Sequence, residues 1–599
     1  MHLRDILRNL LLAGLLAGIS LACAGKVPES LAPDMILVNG NLVTVDDNFS
    51  TAEAVAIRDG KFVAVGSNRA IRALAGSKTE VMDLGGKTVL PGFTDGHGHV
   101  TLTWGKAPDP VEAKFRNSES IEEILELLRE KEKTLRPGEL LWFDRGPSSA
   151  ERLKEKRWPD RHDLDKVSTT RPILLSLGGA GSNLVVNTKI LRDLGITAST
   201  PQPTARGLQG DIVKDASGEP NGVFIGWAAQ GVVRRKISLY PMEVQAENIQ
   251  RAANEMVKYG ITTVGDPNTA VASTDDNIPF LKAYEKLSAT GELLVRVNVM
   301  PRVPLLTIPA AECVEYLRTF PYQPGFSNDH IMTRQVKIVI NDSRGTFKLN
   351  HDEVKTVVKA IHRAGWQLMV HTGGGESFDI ALEAIEEASK EYPDGPKRHV
   401  ITHARNPTDK NLETIKRLNI MADPQPGTLY NLSDDSEERF QEPGRVAYGP
   451  IPLRTYLDRG VQVMISSDQQ PVGPMFHIFE AVNRVRKSGK AIAPKEAVTV
   501  KEAIRMATIM GPYSTFQENI KGSIEPGKLA DLIVLGKNIL TVPPMEIKDI
   551  PILQTMIGGK FIYTNPSQDP SQEVKFWDPG QSRFVKMDVA GERKVAENR

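Results

Sequence analysis

The sequence predicts an α/β protein: a (β/α)8 barrel of the TIM type, with a small β-sandwich domain built from both chain ends. Three observations predict it. The centre of the chain repeats one unit: an amphipathic helix, a glycine or turn, an apolar strand and then a polar residue. Both ends carry paired β-rich runs instead. With 599 residues, the chain is long enough for a barrel with insertions. A doubly wound parallel sheet is the competing architecture. No strand is followed by a phosphate loop, however, since HTGGGESFD lacks both GxGxxG and GxxxxGK[ST] spacing.

Residues 1–22 read as a secretory signal. MHLRDILRN supplies two arginines, LLLAGLLAGISLA is apolar or small throughout, and Cys23 follows Ala22. The apolar run falls short of the roughly 20 residues that span a bilayer. The segment S-L-A-C resembles a bacterial lipoprotein lipobox, with Ser20 where leucine is usual, so Cys23 is the expected lipidation site. The expected location is the bacterial cell envelope, either periplasmic or anchored through that lipid. A plain signal peptide with an incidental cysteine is the simpler alternative. The chain has 2 cysteines, the other being Cys313, which leaves no intramolecular disulfide after processing.

Residues 34–89 are assigned to the small β-domain. MILVNGNLVTVD and AVAIRDGKFVAVG are strand-like, and Asp59-Gly60 marks a hairpin turn in the second. Residues 522–599 are its other part, carrying GSIEPGKLADLIVLGKN and PILQTMIGGKFIYTN. Residues 90–521 are the barrel. DEVKTVVKAIHRAG is apolar at i, i+3, i+4 and i+7 and stops at Gly365; WQLMVH follows as a buried strand. NIQRAANEMVKYG with ITTVGD, and LRTYLDRG with VQVMISSD, repeat the unit. HVITHA and NIMADPQP are further strands. About 105–245 is a large insertion with its own helix, SIEEILELLREKEKTL, and long loops at that face of a barrel shape a substrate pocket.

Composition narrows the partners. Lys+Arg and Asp+Glu both total 74, giving zero net charge, and no basic cluster is interleaved with aromatics. The expected partner is a small-molecule substrate, with no nucleic acid and membrane contact only through the N-terminal lipid. Whether the chain forms a homo-oligomer stays open.

The chemistry is carried by polar residues at strand ends. In PGFTDGHGHVT, residues 91–101, a strand reading puts His97 and His99 on one side of the chain. With 11 histidines in 599 residues, chance supplies only about 0.2 such His-x-His pairs, so the motif alone is weak. His371 ends LMVH, His403 ends VITH, and Asp468 ends VMISSD; Lys337 lies buried in QVKIVI. Each has a bland reading as a satisfied rim residue, a loop cap or a paired lysine. Together they terminate successive parallel strands, whose ends converge on one face. Imidazoles with a carboxylate suit Zn²⁺ or a similar divalent ion. His330, His351, His362, His399 and His477 fall elsewhere in the pattern and read as structural.

These segments resemble the amidohydrolase superfamily of metal-dependent hydrolases, in particular its YtcJ-like (amidohydrolase 3) branch, over nearly the whole mature chain. VLPGFTDGHGHV is similar to the superfamily's PGfiDxHxH segment. PDRHDLDKVSTTRPILL, VNTKILRDLGI and DASGEPNGVF resemble stretches of the branch's insertion. VKIVIND resembles the strand carrying a carboxylated lysine, VHTGGGESFDIALEAIEEA the fifth strand and its helix, HVITHA the sixth strand, and ISSDQQPV the eighth. GSIEPGKLADLIVL is similar to the C-terminal signature. The resemblance implies that His97, His99 and Asp468 bind the more buried of two metals, expected to be Zn²⁺ ions, and His371 and His403 the more exposed. Lys337, as a carbamate formed with CO₂, would bridge them, turning a buried cation into an anionic ligand.

On this footing a metal-bound water becomes hydroxide near neutral pH and attacks a carbonyl. Asp468 takes its proton and passes it to the leaving amine. The expected reaction is hydrolysis of a C–N bond, an amide or cyclic amide, other than a peptide bond. Departures from the branch cluster around the substrate: Gly375 and Glu376 stand where Asp and Arg are usual, Ser182 where His is usual, and Thr402 where Glu is usual. Gln425, in the branch's QP dipeptide, is a substrate contact or a turn residue, and Glu376 and Ser182 are the other candidate contacts. The competing functions are a deaminase, lactonase or phosphotriesterase on the same ligands, or a non-catalytic envelope scaffold.

Overall fold

The computed structural model describes residues 28–565 and two short strands, Lys575–Asp578 and Arg583–Lys586. The described part excludes 106–109, 144–145, 148, 179–182, 206–207, 235, 238–240, 269–276, 306–307, 329, 341–349, 374, 433–449, 469 and 471–472. The signal segment, Cys23 and Ser182 lie outside the described residues.

Eight parallel strands arranged in two arcs form the centre. The first arc holds β1 (Phe93–Asp95), β2 (Ile261–Pro267) and β3 (Arg296–Met300). The second holds β4 (Gln335–Val339), β5 (Gln367–His371), β6 (Val400–Thr402), β7 (Met421–Asp423) and β8 (Gln462–Val463). The arcs meet where Ile331–Thr333, paired with β3, runs on through Arg334 into β4. At the opposite seam no strand pairing joins β8 to β1 among the described residues. There the Asp468 amide donates to the His97 carbonyl at 2.7 Å. The strands β2 and β3 are buried throughout, as expected for parallel strands covered on both faces.

Local chemistry explains the alternation. In helix α1 (His351–Arg363), the Asn350 side chain caps the Asp352 amide and Asp352 and Glu353 sit in the first turn. Val354, Val357, Val358 and Ile361 form its buried stripe. Gly365, at φ 83°, ends it: the Gly365 amide reaches His362 and the Trp366 amide reaches Ile361, the αL stop that glycine favours. The chain then enters β5.

Two further sheets come from the chain ends. Leu532–Leu535 pairs antiparallel with Thr88–Pro91, the segment leading into β1, in a six-stranded sheet. A four-stranded sheet contains the Ala54–Arg58 and Lys61–Gly66 hairpin, whose turn holds Asp59 and Gly60 at positive φ. Leu37, Ile57 and Phe62 of the second sheet share one apolar cluster with Val89, Leu532 and Met556 of the first. Within the insertion lies a five-stranded mixed sheet of Leu141–Phe143, Ile173–Leu177, Asn183–Val186, Asp211–Lys214 and Pro220–Ile225. The helical pattern in the sequence does not reveal it, because its strands are short and buried on both sides.

Candidate metal centre

Strand register assembles one side of the site. His371 of β5 pairs with Thr402 of β6, which pairs with Asp423 of β7. Lys337 lies within β4, two residues before Val339, the partner of His371. Parallel strands in register present such a row together at their C-terminal ends. Lys337 Nζ sits 3.2 Å from His97 Nε2 and donates to Thr402 Oγ1 at 3.2 Å.

His97 and His99 arrive by another route than the expected one. The strand ends at Asp95, so the pleat does not align them. Gly96 and Gly98 carry the chain through a tight loop instead, and His99 adopts φ 32° before the turn Val100–Trp104. The Asp95 carboxylate holds this loop, accepting from the His97 amide at 3.2 Å and from the Ser467 amide at 3.0 Å. Asp468 likewise stands five residues beyond β8, at φ 53°. His403 is one residue beyond β6, at φ 70°. With Gln425 at φ 55°, four non-glycine side chains of this site occupy left-handed backbone. Such positions cost on the order of 1–3 kcal/mol each and concentrate at functional sites.

The donor atoms of His97, His99 and Asp468 lie within 4.8 Å of one another, with His99 Nε2 at 3.0 Å from Asp468 Oδ1. His403 Nε2 faces His371 Nδ1 at 2.8 Å. Burial drives all four imidazoles below their ordinary range, His403 to about 3, so their lone pairs are available at neutral pH. Burial, the largest single influence, would raise Asp468, but the hydrogen bond from His99 and the electrostatic pull of His97, His403 and His99 together hold the carboxylate well below its ordinary range. His99 Nδ1 is buried with no hydrogen-bond partner among the described residues. A set of neutral imidazoles and one carboxylate, with a buried ring nitrogen unsatisfied, fits a divalent cation.

Behind the ligands lies a polar layer. Gln425 is fully buried. Its Oε1 accepts from His403 Nδ1 at 2.6 Å, and its Nε2 reaches His97 Nδ1 at 3.2 Å, Asp423 Oδ2 at 3.2 Å and Ser466 Oγ at 3.3 Å. An amide oxygen can only accept, so His403 carries its proton on Nδ1 and turns Nε2 towards His371. Gln425 is therefore spent on the imidazoles, and the expectation of a substrate contact gives way to an orienting one. Asp423, which the sequence reading passed over, accepts from Ser466 Oγ at 2.6 Å and stands 3.4 Å from His97 Nδ1. It can accept from that nitrogen once His97 carries its proton there, the form an imidazole takes when Nε2 binds metal. Burial pushes Asp423 up and Lys337 down from their ordinary ranges.

The remaining sequence candidates separate. Glu376 is exposed in the first turn of the helix Gly375–Glu391, and Ser182 is outside the described residues. Three of the histidines read as structural are engaged in packing: His362 with His399 at 3.0 Å, His399 from the Leu368 amide, and His477 from the Gly427 amide. Asp95 and Asp423 fall inside the stretches read as strands, PGFTDGHGHVT and NIMADPQP, so a rule looking for polar strand ends did not reach them.

The β2 strand supports the histidine loop through Gly265, whose carbonyl accepts from the Gly98 amide at 2.8 Å. A Cβ at Gly265 would fall 2.2 Å from the Gly96 carbonyl oxygen. Gly265→Ala is expected to cost about 1–3 kcal/mol of stability by overpacking and to displace the loop, lowering the metal retained per chain. Elemental analysis with thermal denaturation checks this; unchanged metal content would remove the loop from the argument.

The profile of the amidohydrolase family matches residues 80–563. The N-substituted formamide deformylase of Arthrobacter pascens is 26% identical, covering 88% of this chain and 98% of that protein. YtcJ of Bacillus subtilis is 26% identical, over 88% of this chain and 98% of that protein. The crystal structure of an uncharacterized metal-dependent hydrolase from Pyrococcus horikoshii superimposes with a TM-score of 0.62 at 20% identity, covering 85% of this chain and 99% of that one. At that identity the likeness shows a shared, TIM-barrel-like α/β fold.

Proposed function

The chain belongs to the amidohydrolase family, and from that premise we propose that it is a metal-dependent hydrolase of carbon–nitrogen bonds, its substrate an amide or cyclic amide rather than a peptide. The observation that carries this reading is the convergence of His97, His99 and Asp468 on one point, beside Lys337 and the His371–His403 pair. The donor chemistry favours two Zn²⁺ ions: His97, His99 and Asp468 would hold one, His371 and His403 the other, and Lys337, as a carbamate, would add an anionic ligand. Burial draws the Lys337 amine below its ordinary range, towards the neutral nitrogen that CO₂ requires.

Bound metal supplies an acidified water and a Lewis acid for the substrate carbonyl. The protein does the rest. Asp468, ionised and next to His99, accepts the proton of the attacking water and returns it to the leaving nitrogen. Gln425 holds the tautomer of His403, and Asp423 and Asp95 hold His97 and its loop. The same reading takes the parallel strands as a closed (β/α)8 barrel and the two terminal sheets as a small β-sandwich domain. The signal segment and lipobox-like S-L-A-C support an exported protein of the bacterial envelope acting on a small molecule.

Three experiments test this. Elemental analysis is expected to find close to two metal ions per chain; one would favour a mononuclear deaminase arrangement. Removal of metal by chelation is expected to lower Tm by about 3 °C, because a ligand at 100 times its Kd stabilises by roughly 2.7 kcal/mol. Added Zn²⁺ should restore it. If the metal-replete protein hydrolysed nothing across amides, cyclic amides, lactones and phosphoesters, a scaffold role would replace this reading.

A further inference from the structure

Two of the four candidate histidine ligands stand in left-handed backbone, His99 at φ 32° and His403 at φ 70°. They belong to different groups of the site, His99 with His97 and Asp468, His403 with His371. A residue other than glycine keeps such a conformation only where its surroundings impose it. For both histidines a side-chain bond falls on the residue that follows, and both bonds lead back to a buried tyrosine of the helix layer.

Behind His99, the Val100 amide donates to Asp266 Oδ1 at 3.2 Å. The other oxygen of that carboxylate, Oδ2, accepts from the Tyr284 hydroxyl at 2.5 Å. Asp266 lies near the end of β2, and Tyr284 comes from the helix Asn277–Ala289. The Val100 amide belongs to the peptide unit that sets ψ of His99, so the bond acts directly on the strained residue. Behind His403, the Ala404 carbonyl accepts from the Tyr456 hydroxyl at 2.7 Å. Ala404 is itself left-handed, at φ 40°, and Tyr456 comes from the helix Leu453–Asp458, which leads towards β8. All four of Asp266, Tyr284, Ala404 and Tyr456 are buried. Burial raises both phenols well above their ordinary range, so each keeps its proton and donates.

We propose that Tyr284, acting through Asp266, and Tyr456 are positioning residues of the metal centre, each holding one left-handed histidine turn in its ligating conformation before metal arrives. This rests on the metal-dependent reading above and deepens it. The cation then meets imidazoles already in place, and the ordering is not charged against its binding. Without the hydroxyl, the turn relaxes in the metal-free protein and must be re-formed when metal binds, so affinity falls. Tyr284 serves the ion of His97, His99 and Asp468, and Tyr456 that of His371 and His403.

The test titrates the chelated full chain with Zn²⁺, read by calorimetry and by Tm. Tyr284→Phe and Tyr456→Phe remove only a hydroxyl; the ring at 284 keeps its edge contact with Phe280, 5.2 Å between centroids. Each variant is expected to bind Zn²⁺ about 10-fold more weakly than wild type, the scale of one buried hydrogen bond. Each should also gain less Tm from zinc than wild type does. With two ions bound, Tyr284→Phe should weaken one binding step and Tyr456→Phe the other. Asp266→Asn, of the same shape, provides a second variant on the first turn and should weaken zinc in the same direction. Phenols that only pack would lower Tm equally with and without zinc and leave affinity unchanged, which overturns the proposal. A wild type that takes up no zinc ends the metal reading and this proposal together, whereas zinc bound alike by wild type and variants ends the proposal alone.

Discussion

Asp468→Asn is expected to lower turnover of any substrate by about 10²- to 10⁴-fold, the range over which a positioned acid–base group acts. The substitution isolates chemistry from folding. Asp468 sits at φ 53°, a conformation asparagine tolerates well, and the amide oxygen can still accept the bond that His99 Nε2 makes at 3.0 Å. What is lost is the negative charge and the ability to take a proton near neutral pH. The folded content and Tm should therefore stay close to wild type in the chelated protein while turnover collapses. Full turnover by a metal-replete Asp468→Asn protein would end the assignment of Asp468 as the proton carrier. Asp468→Ala is a poorer probe, because it adds backbone strain to the loss of the carboxylate.

The largest expected stability effect lies outside the site. Arg296, the first residue of β3, meets Asp531 of the C-terminal segment in a two-point ion pair, Nε to Oδ2 at 2.7 Å and Nη2 to Oδ1 at 3.0 Å. Both side chains are about 5% exposed or less, and the Gly558 amide adds a third bond to Asp531 at 2.8 Å. Arg296→Met leaves a buried carboxylate without its cation and is expected to cost about 3–5 kcal/mol. A urea midpoint measured by fluorescence checks it; a loss below about 1 kcal/mol would show that water reaches Asp531 freely. The double variant Arg296→Met/Asp531→Leu should recover most of the loss, since an apolar pair of similar volume removes the stranded charge.

The candidate site was partly legible in the sequence. Residue type and position after an apolar run picked out His97, His99, Lys337, His371, His403 and Asp468, because parallel strands must deliver their ends to one face. The same rule did not reach Asp95 and Asp423, which fall inside the stretches read as strands. It overreached in treating all these residues as strand ends: His97, His99, His403 and Asp468 lie beyond their strands, three of them in left-handed backbone. Loop conformation of this kind is set by long-range bonds, such as the Asp468 amide to the His97 carbonyl, and has no period to read. Gln425, read from the sequence as a substrate contact or a turn residue, precedes the turn Pro426–Asn431, and its buried amide is engaged by His97 and His403.

By itself, the sequence determined the alternation of helix and parallel strand, the hairpin at Asp59-Gly60 and the chemical kind of the site. Each of these is written in residues a few positions apart, as periodicity, turn chemistry or side-chain type. Only the tertiary structure decided which atoms meet: Gln425 between two imidazoles, Asp423 behind His97, and the insertion's five-stranded sheet. Those contacts join segments separated by tens to hundreds of residues, and their geometry follows from strand register and packing, which no local pattern encodes.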